Sequence, residues 1–319
     1  MTEEVVLITG VNGFIGRHMA RTLLQRQMTV WGIGRRRTSS ISHPKFFYTS
    51  CDLADPDAIF TWMAQHDVHY IIHLAADTAG PCRTDNPLHI LNVNGMGTMR
   101  LLEAVRRQSV PVKRIVLAGS AHEDVTSRSL YGWSKWISSN IGQMYAQLYG
   151  LPIVIARTFN VIGPGATAGV TPSLARQVAE MEQGLRPPRL VVGNLDLARD
   201  FIDVRDVVAA YRALLGTETV EPGEVYHVAS GTSRTIREMV DLFRRHAQCL
   251  FEVTVDPALF RPGEPFTVRG ENEKLRQATG WQPQWSFEQS VLDVLHDARQ
   301  RVRSSIRTRS GEKRGEDGR

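Results

Sequence analysis

The sequence predicts a doubly wound parallel α/β sheet joined to a smaller mixed α/β region, on three observations. Over the first 160 of 319 residues, short β-branched runs alternate with longer amphipathic ones. A glycine-rich turn, Gly10-Val11-Asn12-Gly13-Phe14-Ile15-Gly16, separates the first such run from the first helical pattern. The regularity breaks at Asn160-Val161-Ile162-Gly163-Pro164-Gly165, a cluster of turn residues.

Strands are expected at 5–9, 29–33, 46–51, 70–74, 114–118 and 153–157, with helices at 15–25, 91–108 and 131–149 between them. Beyond the break come a helix at 172–184, a strand near 190–192, a helix at 204–215, a strand at 224–228, a helix at 236–247 and a last helix at 287–303. Residues 1–160 are therefore expected to form one domain to which 203–230 return, with 161–202 and 231–303 forming a second. Residues 304–319 hold one aliphatic side chain among polar and charged ones and read as a flexible tail.

With 42% hydrophobic and 22% charged residues the chain can bury a full core. Its apolar runs are far shorter than the roughly 20 residues of a membrane span, and no basic-then-apolar leader precedes the first strand, so a cytoplasmic protein without a membrane segment is expected. Cys51, Cys82 and Cys249 are odd in number and match no zinc or CxxC spacing, against a disulfide framework or a metal site. Much of the net charge of +5 lies in the tail and in Arg35-Arg36-Arg37, without a nucleic-acid-binding motif. A nucleic-acid partner is not expected.

The turn from Gly10 to Gly16 has GxxGxxG spacing, not the GxGxxG of the ordinary dinucleotide fingerprint. Glycines there let the backbone approach a pyrophosphate that the following helix N-terminus stabilises; the alternative is a tight strand-to-helix turn without a ligand. Arg35 and Arg36 follow the second strand, where an acid would accept from an adenosine ribose 2′-hydroxyl. Guanidinium groups suit the 2′-phosphate of NADP instead, unless the run is simply a solvated loop. Asp52, ending the third strand, could accept from the adenine amine or cap the helix that follows Asp55-Pro56.

Tyr131-Gly132-Trp133-Ser134-Lys135 places Tyr and Lys four apart, on one helix face. An ammonium about 4 Å from the phenol, at an effective dielectric near 20, would contribute about 4 kcal/mol, roughly three pKa units. That would bring a tyrosine near the range where it exchanges protons at neutral pH, although the spacing also arises by chance on amphipathic helices. Ser120, at the carboxyl end of the fifth strand, lies where parallel sheets bind ligands, and its hydroxyl could hold a substrate oxygen. A cap is the other reading.

These residues, with His73-Leu74-Ala75-Ala76, Asn94, the 157–165 segment, the 199–207 segment and Arg261-Pro262, resemble the extended short-chain dehydrogenase/reductases of the nucleotide-sugar branch, from Val5 to about Val302. The wording of Ser173-Leu174-Ala175-Arg176-Gln177, Gly193-Asn194-Leu195-Asp196 and Arg199-Asp200-Phe201 is most similar to the GDP-4-keto-6-deoxy-mannose reductases. The resemblance implies a Rossmann-type sheet with a smaller substrate-binding domain and a homodimer. It implies NADP(H) bound by Gly10, Asn12, Gly13, Phe14, Ile15, Gly16, Arg35, Arg36, Asp52, Leu53, Leu74, Ala75 and Ala76, together with Tyr131 and Lys135. Ser120, Tyr131 and Lys135 would be catalytic, and Asn160, Arg199 and Arg261 would hold the nucleotide diphosphate of the sugar substrate. For Arg199 the competing reading is an ion pair with Asp200; for Arg261 it is an exposed turn.

The implied activity is NADPH-dependent reduction of a keto group on a nucleotide-linked 4-keto-6-deoxy sugar. A 4,6-dehydratase or epimerase on the same fold is the alternative, and a non-catalytic NADP-binding protein a further one. Relatives usually carry a longer insertion between the serine and the tyrosine; here the 121–130 segment is short, and His122 could face the sugar or solvent. A dehydratase needs an acid and a base next to the serine, whereas Ala121 and His122 stand there and Glu123 and Asp124 come one or two positions late.

Overall fold

The computed structural model describes residues 4–78, 86–123, 129–261 and 263–316. The chain divides into two compact units, Met1–Phe159 with Arg205–Ala229 and Gly270–Gln282, and Asn160–Val204 with Ser230–Arg269 and Pro283–Arg319. In chain order the first unit begins with β1 (Val5–Thr9), α1 (Phe14–Gln25), β2 (Thr29–Gly34), β3 (Phe46–Ser50), α2 (Ala58–Met63) and β4 (Tyr70–His73). It continues through α3 (Pro87–Leu91), a π-helical turn (Asn92–Met96), α4 (Gly97–Arg106), β5 (Arg114–Ser120), α5 (Leu130–Tyr149) and β6 (Ile153–Thr158). Next are β7 (Asn160–Ile162), α6 (Val170–Glu182), β8 (Arg189–Val192) and β9 (Ala198–Asp203) of the second unit. After these, α7 (Val204–Gly216) and β10 (Val225–Val228) return to the first. The chain ends with β11 (Ser233–Thr235), α8 (Ile236–His246), β12 (Glu252–Val255), β13 (Thr267–Val268), α9 (Glu273–Thr279) and α10 (Phe287–Glu316).

The first unit is built on a seven-stranded sheet in the order β10-β6-β5-β4-β1-β2-β3, with every pairing parallel. Parallel sheets are covered on both faces, so their strands read as unbroken apolar runs; Val6, Leu7 and Ile8 of β1 are fully buried. The order reverses beside β1, between its neighbours β2 and β4, which opens a crevice at the carboxyl ends of these strands. The second unit has a core of Leu174, Val178, Phe243, Val291 and Leu295 from α6, α8 and α10. Its strands form a sheet of β11, β9, β13 and β7 and a β8–β12 pair.

Several elements depart from the sequence expectation. The helix expected at 91–108 is interrupted by the π-helical turn, where Asn94 is held by its side chain: it accepts from Asp77 N at 2.7 Å and donates to Asp77 O at 3.1 Å and Ser134 Oγ at 2.8 Å. Anchored side chains of this kind favour one wide turn over a regular helix. β9 was missed because Arg199, Asp200 and Asp203 are buried in it and erase the apolar alternation. Residues 270–282 were assigned to the second region, yet they belong to the first unit. Asn272 donates to Ala229 O at 2.9 Å, the Trp281 indole donates to Asp206 O at 3.1 Å, and Leu275 is buried. The polar segment expected to fray from 304 instead extends α10 to Glu316, since Arg, Lys, Glu and Ile all propagate a helix once it has nucleated. Cys51 and Cys249 are free thiols; Cys82 lies outside the described residues.

Candidate active site

The glycine turn is shaped by a close approach to the end of β4. Gly10 has φ +68°, and a Cβ there would lie 2.8 Å from Ala75 N. The Leu74–Ala76 strap is held against it by Thr9, whose hydroxyl oxygen accepts from Leu74 N at 3.1 Å and Ala75 N at 3.0 Å. With both acceptor positions filled, the Thr9 proton goes to His73 Nδ1 at 2.7 Å, so the imidazole carries its own proton on Nε2 and donates it to Thr98 Oγ1 at 3.0 Å. Thr98 in turn donates to Asn94 O at 2.6 Å. Burial, reinforced by the Lys135 charge, pushes His73 down to about 3, which keeps it neutral. At the start of α1, Gly13 is the N-cap and provides no side-chain cap, and no acid stands in the first turn. Phe14, Ile15 and Gly16 thus open a helix whose N-terminal dipole suits an anion.

Arg35 and Arg36 are exposed directly after β2, and among the described residues neither guanidinium has a carboxylate partner. Their loop is fastened at both ends: the Tyr48 hydroxyl reaches Gly34 O at 3.1 Å and Arg36 O at 2.5 Å, while Asn12 donates to Thr38 O at 3.2 Å and accepts from Ser39 Oγ at 2.7 Å. Asn12 therefore links the glycine turn to the arginine loop. Two cations without local partners, held beside a helix N-terminus, fit a dinucleotide bearing an extra phosphate. Asp52 is exposed and accepts from Ala54 N at 3.0 Å, and Leu53 beside it is buried. The acid that precedes α2 as a turn acceptor is Asp55, bonded to Asp57 N at 2.9 Å and Ala58 N at 3.3 Å.

β5 extends two residues beyond its expected end, so Ser120 is a strand residue in register with Thr158 of β6. α5 starts with Ser129 as N-cap, accepting from Gly132 N at 3.2 Å, which fixes Tyr131 and Lys135 in its first two turns. The hydroxyls of Tyr131 and Ser120 are hydrogen-bonded. Lys135 is buried and donates to Ala118 O at 2.6 Å.

The expected lowering of the Tyr131 pKa by Lys135 does not occur in this arrangement. Burial pushes the phenol up to about 12, the Ser120 hydrogen bond opposes this and Glu123 adds to it. Lys135 is itself lowered by burial, with Glu123 acting against that shift. Its ammonium is committed to the Ala118 carbonyl, and desolvation outweighs attraction at this depth.

Glu123 is the functional neighbour that sequence reasoning missed, having noted it only as an acid out of register. Its side chain is completely buried. It accepts from Ser120 N at 2.5 Å and pairs with Arg157 at 3.3 Å. His122 is exposed, its ring 6.3 Å from that of Tyr131. Asp124 and the rest of 124–128 lie outside the described residues, as does Pro262.

The three residues expected to hold a diphosphate all belong to the second unit. Asn160 is half-buried and donates to Asp200 O at 3.3 Å. Arg199 is buried and paired, but with Glu264 at 2.7 Å and not with Asp200; it also donates to Ala198 O and Phe266 O. Asp200 instead accepts from Ser230 N and Gly231 N. Arg261 is exposed.

A parallel sheet with its switch point at a glycine turn, and a Ser-Tyr-Lys set at the ends of β5 and α5, define a Rossmann-type nucleotide-dependent oxidoreductase of the short-chain dehydrogenase/reductase class. The family model described as GDP-mannose 4,6 dehydratase matches residues 7–294, and the chain belongs to that family. It is 34% identical to the GDP-6-deoxy-D-mannose reductase of Pseudomonas aeruginosa, over 95% of this chain and 99% of that one. It is 27% identical to the GDP-mannose 4,6-dehydratase of Yersinia enterocolitica, over 91% and 92%. The solved structure of RMD from Pseudomonas aeruginosa complexed with NADPH superposes with a TM-score of 0.78 at 31% identity, over 93% of this chain and 99% of that one.

Proposed function

We propose that this protein is an NADPH-dependent reductase of a 4-keto-6-deoxy sugar carried on a nucleotide, with a GDP-4-keto-6-deoxy-mannose-like substrate. The observation that carries this reading is the hydrogen-bonded Ser120–Tyr131 pair, with Ala121 and His122 following the serine and the nearest acid, Glu123, turned inward onto the Ser120 backbone. Elimination of water requires an acid and a base open to the sugar ring. Reduction needs one proton donor and one group to hold the carbonyl.

Ser120 holds the substrate oxygen, and Tyr131, a neutral phenol at pH 7, gives its proton to the developing alkoxide. Lys135 places a cation in the same buried cluster, stabilising the phenolate left after transfer. NADPH, when bound, supplies the hydride. Gly10, Gly13, Phe14, Ile15 and Gly16 receive its diphosphate, and Arg35 and Arg36 its 2′-phosphate. Asn12 positions that loop, Asp52 and Leu53 flank the adenine, and Leu74, Ala75 and Ala76 line the nicotinamide end.

Asn160, Arg199 and Arg261 bind the sugar nucleotide, for which Arg199 must exchange Glu264 for phosphate. Among the described residues no helix is long and apolar enough to cross a membrane, in keeping with a cytoplasmic enzyme. We assign it a homodimeric state, supported by the exposed Trp133, Leu148 and Tyr149 on α5; analytical ultracentrifugation tests that state.

The functional test is stoichiometric. Given a 4-keto-6-deoxy sugar nucleotide, the protein should oxidise one NADPH per sugar; given GDP-mannose it should form no keto product. Conversion of GDP-mannose without net cofactor change would replace this reading with the dehydratase.

A further inference from the structure

Glu123 has the burial and contacts of a designed part. Its carboxylate lies beneath the end of β5, one oxygen 2.5 Å from Ser120 N and the other 3.3 Å from Arg157 Nη2 on β6. Residue 119 has to be glycine for this to happen: a Cβ there would sit 2.8 Å from Glu123 Oε1 and 3.2 Å from Arg157 Cα. A buried carboxylate without compensation costs several kcal/mol, so one retained here must be balanced by its surroundings. The groups that face it are Lys135, Tyr131 and Ser139 on α5, Arg157 on β6 and Tyr211 on α7. Two of these are cations and two are phenols.

We propose that Glu123 is a positioning residue of the active site: its carboxylate fixes the Ser120 backbone and, through its charge, holds Lys135 as the ammonium and Tyr131 as the neutral phenol. This deepens the reductase reading and rests on it for its functional meaning. A reductase has to enter each cycle with a protonated tyrosine. A negative charge next to the phenol disfavours phenolate, and the same charge favours the ammonium at a depth where burial works against it. The direction of the Tyr131 and Lys135 shifts agrees, Glu123 raising both.

The experiment follows the phenol directly. The ultraviolet tyrosinate titration of the full chain without cofactor, minus that of Tyr131→Phe, isolates Tyr131. In the wild type it should titrate above the ordinary value of roughly 10. Glu123→Gln keeps an oxygen acceptor for Ser120 N–H but removes the charge, and should lower the Tyr131 titration by roughly one unit or more. Glu123→Asp should restore the wild-type position. The alkaline limb of the NADPH-oxidation profile should move with the phenol. A Tyr131 that titrates at or below its ordinary value in the wild type overturns the proposal, and this measurement decides even if the Gln variant does not fold. An unmoved titration in Glu123→Gln, or an Asp variant that behaves like Gln, overturns it too. If the phenol shifts as expected but no keto sugar nucleotide is reduced, Glu123 keeps this electrostatic role and the reductase reading fails.

Discussion

His73 should make the stability of the protein fall steeply in mild acid. The imidazole is buried between Thr9 and Thr98, both ring nitrogens are hydrogen-bonded, and protonation would require Nδ1 to donate where it now accepts. Its pKa lies near 3 in the folded protein against 6.5 in the unfolded chain. As the pH drops, the unfolded chain therefore takes up the proton first. The stabilisation is complete above about pH 6.5 and is lost as the pH falls toward about 3. At pH 5 the unfolded state has gained about 2 kcal/mol from this one group, from RT ln(1 + 10^1.5). Other groups titrate in the same range, so the assay is a difference: urea unfolding of the wild type and of His73→Gln at pH 7.5 and pH 5, at constant ionic strength. The variant will be less stable at both, but its deficit should shrink by about 2 kcal/mol at the lower pH. Deficits that are equal at the two pH values would refute the reasoning, because they would mean that His73 protonates equally well folded and unfolded.

Three further outcomes follow from the site. Tyr131→Phe should keep the fold and NADPH binding while lowering turnover about a hundredfold, the usual contribution of a general acid; unchanged single-turnover rates would remove Tyr131 from the chemistry. The double variant Arg35→Ala, Arg36→Ala should abolish a preference for NADPH over NADH of at least about tenfold, read by calorimetry, because one or two charge-assisted bonds are lost. Gly10→Ala places an L-residue at φ +68° and a methyl against Ala75 N. It should cost at least about 1–2 kcal/mol of stability and abolish dinucleotide binding, and a variant with wild-type melting and affinity would contradict the close approach.

The parallel sheet was legible because its strands are uninterrupted apolar runs, and the glycine turn because it occurs between a strand and a helix. The site was legible only where it depends on local spacing. Tyr131 and Lys135 are four apart on one helix, so their shared face follows from geometry alone. Where Lys135 spends its charge does not: that depends on Ala118 and Glu123, brought near by β5 and the turn after it. Glu123 itself left one trace, a glycine at 119 where the β5 pattern calls for an apolar side chain. β9 hid because its buried Arg199, Asp200 and Asp203 are satisfied by partners far along the chain, which no periodicity records. The π-helical turn hid for the same reason, since Asn94 owes its position to Asp77 and Ser134.

The division of the chain also bears on its synthesis. The polypeptide passes between the two units five times, and the last piece of the first unit ends only at Gln282. Six strands of its sheet are complete at Thr158, but the outer edge of β6 finds its partner only when Val225–Val228 emerge. At about 5–20 residues per second, a ribosome leaves that apolar edge, Ile153-Val154-Ile155-Ala156, open for several seconds. Open strand edges recruit other chains. Nascent protein on crowded polysomes is thus most vulnerable in that interval, and slower codons between 159 and 224 would lengthen the exposure, lowering the yield of soluble product without altering one amino acid.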